Sequence, residues 1–253
     1  MGINLESLVL QKGGHGGAQD GFCVMELTAY LAHEPWSDHP ACTSPAIAAF
    51  LRSWNDSLDD GTRQRLKPYA QQVIGTNTGP EDEQKRAWLA VDWVIRVNTP
   101  AWLELAGLND EASELRNLPE LTSSEILVAV QATLEKARAE ASAAGDAAGD
   151  AAGDAAGAAA RAAAWDAAWD AARAAAWDAA WAAAWAAAWD AAWAAAWDAA
   201  WDAAWAAARA AAWDAGYNAA RSVLRPTEQQ LTESAFELLD RMIAVGRNEV
   251  ATV

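Results

Sequence analysis

The chain has 253 residues, a formal net charge of −17, 53% hydrophobic residues, sixteen tryptophans, two cysteines and three histidines. That length accommodates one or two domains with a real hydrophobic core. The acidity works against nucleic-acid phosphates and anionic lipid surfaces, and suits a cationic partner or the solubility of an apolar repeat.

Residues 1–17 read as irregular, with Gly13, Gly14, Gly16 and Gly17 around His15, and they lack the basic start and apolar run of a signal peptide. Asp20 is placed to cap a helix reaching about His33. Ser44-Pro45 opens a second, with Ile47, Phe50, Leu51 and Trp54 at helical spacing. A third spans Asp60 to Val73, bent at Pro68. Thr78 with Glu81 forms the pattern of a capping box, ahead of Trp88, Leu89, Val91, Trp93 and Ile95. Thr99-Pro100 starts a short helix with Trp102, Leu103 and Leu105. Thr122 with Glu125 is a second capping-box pattern, leading through Ile126, Val130 and Leu134 into the repeat. After the repeat, Pro226-Thr227 opens a last helix carrying Leu231, Phe236, Leu239, Met242 and Ile243. No strand alternation appears. The expected fold is all-α: a helical domain at 1–140, a repeat at 141–225 and a returning C-terminal helix at 226–253. Trp54, Trp88, Trp93 and Trp102 are expected in the core of the head, with a ligand pocket lined by these aromatics as the alternative.

From Gly145 to Arg225 every fourth residue keeps one phase. Gly145, Gly149, Gly153 and Gly157 come first, then Arg161. Trp165, Trp169, Trp177, Trp181, Trp185, Trp189, Trp193, Trp197, Trp201, Trp205 and Trp213 follow, with Arg173 and Arg209 interspersed and alanine filling most of the space. Alanine favours a helix, and neither glycine nor proline interrupts Ala158–Ala215, which as one straight helix would span about 87 Å. A compact chain of this length has a diameter of roughly 46 Å. Each four-residue step advances about 40° around the axis, so the indoles wind as a spiral instead of marking one face. Eleven indoles represent roughly 2,000 Å² of mostly apolar surface, which must meet this chain, copies of it or a partner. Asp follows seven of these tryptophans and gives the ribbon a charged edge. The longest uncharged run in the block, Ala179–Trp189, falls well short of the about twenty residues of a membrane span. The glycine tetrads read either as a frayed hinge or as a groove that receives Trp ridges.

All titratable chemistry of interest falls within His15–Cys42. Cys23 near a helix N-terminus, with His15 as base and Glu26 or Asp38 as orienting carboxylate, fits a nucleophile whose thiol is activated by the positive helix end. His15, Cys23, His39 and Cys42 equally supply a Cys₂His₂ set for zinc. The plain alternative is buried cysteines with surface or capping histidines. Two cysteines without a secretory leader point to thiols and a cytoplasmic chain.

The stretch Cys23–Tyr30, then Glu34-Pro-Trp-Ser-Asp38, Pro45 and Phe50–Asp56, resembles a family of bacterial and phage proteins. Its members have a similar helical head, Ala/Trp/Asp/Arg tetrads and a tail like Leu239–Arg247. The resemblance implies that architecture and no activity, cofactor or catalytic residue. The tetrads also look like those of immunity proteins from bacterial toxin systems. The expected function is a non-enzymatic scaffold or interaction protein, a homo-oligomer or partner-binder acting through the Trp spiral. The alternatives are an acidic immunity or antitoxin-type protein that binds a basic toxin, and a Cys/His enzyme or zinc protein built on 15–42.

Overall fold

The computed structural model describes residues 8–145 and 217–247, and among these the fold is all-α. The repeat between them, with its eleven tryptophans and the expected single helix Ala158–Ala215, lies outside the described residues. None of the described helices is long and apolar enough to cross a membrane.

Helix α1 spans Val24–Leu31 and α2 spans Pro45–Ser57, the latter capped by Ser44 with Pro45 at its first position, as expected. Asp59 caps the short α3 (Asp60–Arg63), a 3₁₀ turn covers Gln64–Leu66, and α4 runs over Lys67–Gln72. The tightened turn sits just ahead of Pro68, which offers no N–H to the residue four back. Helix α5 (Pro80–Trp93) passes through a π-helical turn at Val94–Asn98 into α6 (Thr99–Leu105). Pro100 again removes a ladder bond, and here the helix widens instead of tightening. Helix α7 covers Asn109–Arg116, α8 begins at 124 and is helical to 145, and α9 spans Tyr217–Ala244.

Three caps differ from the expectations. Cys23 caps α1, three residues beyond Asp20. Gly79 (φ 107°) stands before α5, because Pro80 takes the first helical position and leaves Thr78 outside. Ser123 replaces Thr122 on α8, accepting from the Ile126 N–H at 3.4 Å. The last helix is already helical at Tyr217, and Pro226 lies inside it.

The core forms where α2, α5, α6 and the returning α9 pack together, with α1 on α2 and α4, and α7 against α6 and the π turn. Phe50, Leu51, Trp54, Trp93, Trp102 and Leu103 are buried there. Helix α9 contributes Leu231, Phe236, Leu238, Leu239, Met242 and Ile243, and at about 1.5–3 kcal/mol per buried side chain these dominate its docking. Phe236 is the meeting point. Its ring lies 4.5 Å from Trp54 and 5.7 Å from Tyr69, and the Arg65 guanidinium sits 4.1 Å above it.

Two fully buried arginines close helix ends. Arg63 donates from Nε to the Asn55 carbonyl (2.7 Å) and from its second nitrogen to that of Leu58, finishing α2. Arg86 donates to the Met242 (3.1 Å) and Val245 (2.9 Å) carbonyls, finishing α9. Both put a cation on the orphaned carbonyls at the negative end of a helix.

Candidate functional site

Three of the residues singled out in the N-terminal segment come together around one carboxylate. Residues 8–22 cross the head as a strap, joined to itself by a single bridge between Leu10 and Phe22. Side chains from the helices hold its backbone. Gln64 both accepts from the Leu10 N–H (2.8 Å) and donates to the Leu10 carbonyl (3.0 Å). Asn55 donates to the Gln11 carbonyl (2.8 Å), and Asp56 accepts from Gly13 (2.8 Å). Trp36 donates from its indole to the His15 carbonyl (2.7 Å). This delivers His15 to the N-terminus of α1.

Glu26 is 2% exposed and lies between His15 and Cys23. It accepts from the His15 N–H (2.5 Å) and the Cys23 N–H (2.8 Å), and its Oε2 is 2.7 Å from His15 Nδ1. The Glu26 N–H in turn donates to Cys23 Sγ at 3.4 Å, completing a capping box with sulfur where an oxygen usually stands. The carboxylate is therefore satisfied by the helix start and the strap together, which is how a buried charge is tolerated.

The expected activation of the thiol does not occur. Burial pushes the Cys23 thiol up from its ordinary 9.0 to about 12, and the negative charge of Glu26 adds to the rise. The Glu26 N–H at the helix start pulls the other way and is outweighed. At neutral pH the sulfur is a neutral, 4%-exposed cap, and His15 is turned to Glu26. A thiolate nucleophile needs an accessible and electropositive setting, and this is its opposite.

The zinc set is not assembled either. No three His, Cys, Asp or Glu side chains gather to hold a metal among the described residues. His39 is an exposed ring 2.5 Å from its neighbour Asp38. Cys42 sits in a loop whose backbone is bound elsewhere: Glu34 accepts from the N–H groups of Ala41 (2.6 Å) and Cys42 (2.8 Å), and the Cys42 carbonyl accepts from Gly75 (2.9 Å). Both cysteines are free thiols. His33 has a structural post. At φ 59° it occupies the left-handed position after α1, with the Glu34 N–H returning to the Ala29 carbonyl at 3.0 Å.

A second feature involves Trp88, which was expected in the core and is only half-buried. An open cleft of roughly 310 Å³ lies between the middle turns of α5, the loop before α8 and the end of α9. Trp88, Leu89, Leu121 and Val245 form its apolar walls, with Lys85 and Glu120 among its polar lining. Its walls are fixed from behind. The Val245 carbonyl is bound by Arg86 (2.9 Å), and the Leu121 N–H is bound by Asp92 (3.0 Å). The one available signal was Arg86, a cation in phase with Ala90 and Trp93 on the buried face of α5.

Compared with protein families, curated proteins and solved structures, the chain matches none of them.

Proposed function

We propose that this chain is a non-enzymatic helical interaction protein of the cytoplasm. It assembles with copies of itself, or docks a protein partner, through the tryptophan spiral Trp165–Trp213. The observation that carries the reading is the count and phase of those indoles: eleven on one four-residue period, more apolar surface than a rod of alanine can cover. The described residues support it in two ways. Leu127, Val130 and Leu134 of α8 are buried and Lys136 reaches Glu114 of α7 at 2.7 Å, while α9 is docked through Phe236 and Arg86. Both flanks of the array thus belong to one core, so in sequence the array is an insertion within the head. The N-terminal cluster, in turn, reads as a helix cap with its thiol held neutral.

Light scattering coupled to size exclusion tests the proposal. A mass above the 26.8 kDa of one chain is expected for the wild type, falling to one chain when all eleven array tryptophans are replaced by alanine. A monodisperse wild-type monomer whose indoles resist acrylamide quenching would overturn it.

A further inference from the structure

Among the described residues, four buried side-chain polar atoms make no hydrogen bond: Arg96 Nε, both amide atoms of Asn98, and Trp102 Nε1. All four fall between Arg96 and Trp102, across the π turn and the first turns of α6. Elsewhere in this core the same residue types are served by the protein. Asn55, equally without exposed surface, accepts from the Val24 N–H (3.2 Å) and donates to the Gln11 carbonyl (2.8 Å). The Trp93 indole donates to Ser234 Oγ (3.0 Å). Asn98 and Trp102 have no exposed surface either, so bulk solvent does not serve them, and burial without a partner is costly. We infer that the π turn is a hydration site, where at least one ordered water enclosed in the core bridges Asn98 and Trp102.

The two residues are one helical turn apart, so their side chains share a face, with Cβ atoms about 5–6 Å apart. A helical side chain leans back over the turn before it, which carries the Trp102 indole toward Asn98. The amide oxygen accepts and the indole nitrogen donates, yet the two do not bond each other. A molecule between them must accept from the indole while donating to Oδ1 or accepting from Nδ2, and water does both. The backbone is widened at this place. The Thr99 N–H reaches back to the Val94 carbonyl, the π pattern that recurs at functional positions in helices. Charge excludes an ion as the occupant. Arg96 at the same turn is already held by Asp92 at 3.1 Å, and an added ion would be a buried charge without a counterpart. A bridging water is nearly as good as a direct bond and brings no charge. It ties the π turn to α6, against which α7 and α9 pack. The site lies in the head and does not depend on assembly.

Water-to-protein magnetisation transfer on the isotope-labelled full chain tests this. The Trp102 indole, identified as the signal lost in Trp102→Phe, is expected to receive magnetisation from a water of long residence. Water relaxation dispersion is expected to count at least one long-lived water fewer in Asn98→Leu than in the wild type. Stability supplies an independent sign. Leucine copies the branching of asparagine without its polar atoms, so for an amide with no partner Asn98→Leu would raise the denaturant midpoint. With the water bridge it lowers the midpoint, and adding Trp102→Phe then costs less than the same change in the wild type. Should Asn98→Leu not fold, magnetisation transfer in the unaltered chain decides alone, with the indole assigned through its own backbone signals. A Trp102 indole that receives nothing from water, or an Asn98→Leu variant more resistant to denaturant than the wild type, would overturn the hydration site.

Discussion

Cys23 combines two duties that pull on its thiol in opposite directions. As the cap of α1 it accepts a helical N–H, and as a core residue it has lost its water. Loss of water prevails, so the folded state keeps its proton up to about pH 12 whereas an unfolded thiol gives it up near 9.0. Between those values the unfolded chain binds fewer protons, and stability therefore falls as pH rises through that window, being fully present below it. The slope from this one group is at most about 1.4 kcal/mol per pH unit. Tyr69, pushed up to about 12 by burial and by the Asp240 carboxylate, adds to the same alkaline loss. Cys23→Ser keeps a capping oxygen and removes the titrating sulfur, so denaturant midpoints measured from pH 8 to 11 should decline less steeply than those of the wild type. Coincident profiles would refute the assignment. Gly246 gives a second residue-scale expectation. It follows α9 at φ 77°, and a Cβ there would meet Asp82 Oδ2 and come within 2.9 Å of Thr78 Oγ1. Gly246→Ala should cost about 1–3 kcal/mol in equilibrium unfolding, more than a surface glycine at an ordinary turn. Burial of the cysteine was one of the sequence readings, but its capping duty was not legible beforehand. The sequence shows a cysteine near a helix start, but the covering residues that decide its proton come from the strap and from α2.

Among the elements, α5 with its π turn and α6 is the organising one, since α2, α7 and α9 all pack against this continuous run. Its apolar positions Val91, Trp93, Ile95 and Trp102 announced a helix, and the run was expected to divide at Thr99-Pro100. It does not divide, because a widened turn absorbs the proline while both ends stay packed. Helix α7 escaped notice for the opposite reason. Only Ala112 and Leu115 of its eight residues are buried, too few for a visible period. Arg86 joins α5 to α9 more firmly than any exposed ion pair: its guanidinium also bonds Glu83 (3.0 Å) and Thr78 (3.1 Å). Arg65–Glu233, bidentate but about half exposed, contributes at most about 1 kcal/mol. Arg86→Met should cost about 3–5 kcal/mol, leaving the α9 carbonyls without their donor and Glu83 with only the Ala46 N–H. Limited proteolysis should then cut near 231–247 in the variant before the rest of the head. Equal protection in both proteins would show that apolar packing alone holds α9.

For the whole molecule, the all-α class, the burial of Trp54, Trp93 and Trp102 and the return of the last helix were readable, because each rests on local period and on apolar count, whereas Trp88, expected in the core, is only half-buried. The candidate sites were readable only as membership. His15, Cys23 and Glu26 do meet, whereas His39 and Cys42 stay in separate surroundings, a distinction of tertiary path that spacing does not encode. Of the aromatics weighed as a pocket lining only Trp88 borders the cleft, and its other walls went unseen because they come from three segments, the outermost at Gln84 and Val245.

The latch between Arg86 and the end of α9 has a consequence for how the protein is made. Partners such as Trp93 and Ser234 are 141 residues apart, so at about 5–20 residues per second a ribosome needs about 7–28 s to deliver the second after the first. Throughout that interval Trp54 and Tyr69 wait without Phe236, while the tryptophan-rich stretch emerges beside them. Each nascent chain passes through a stage in which an unfinished head and its greasiest segment are exposed together, and polysomes hold many such chains close to one another.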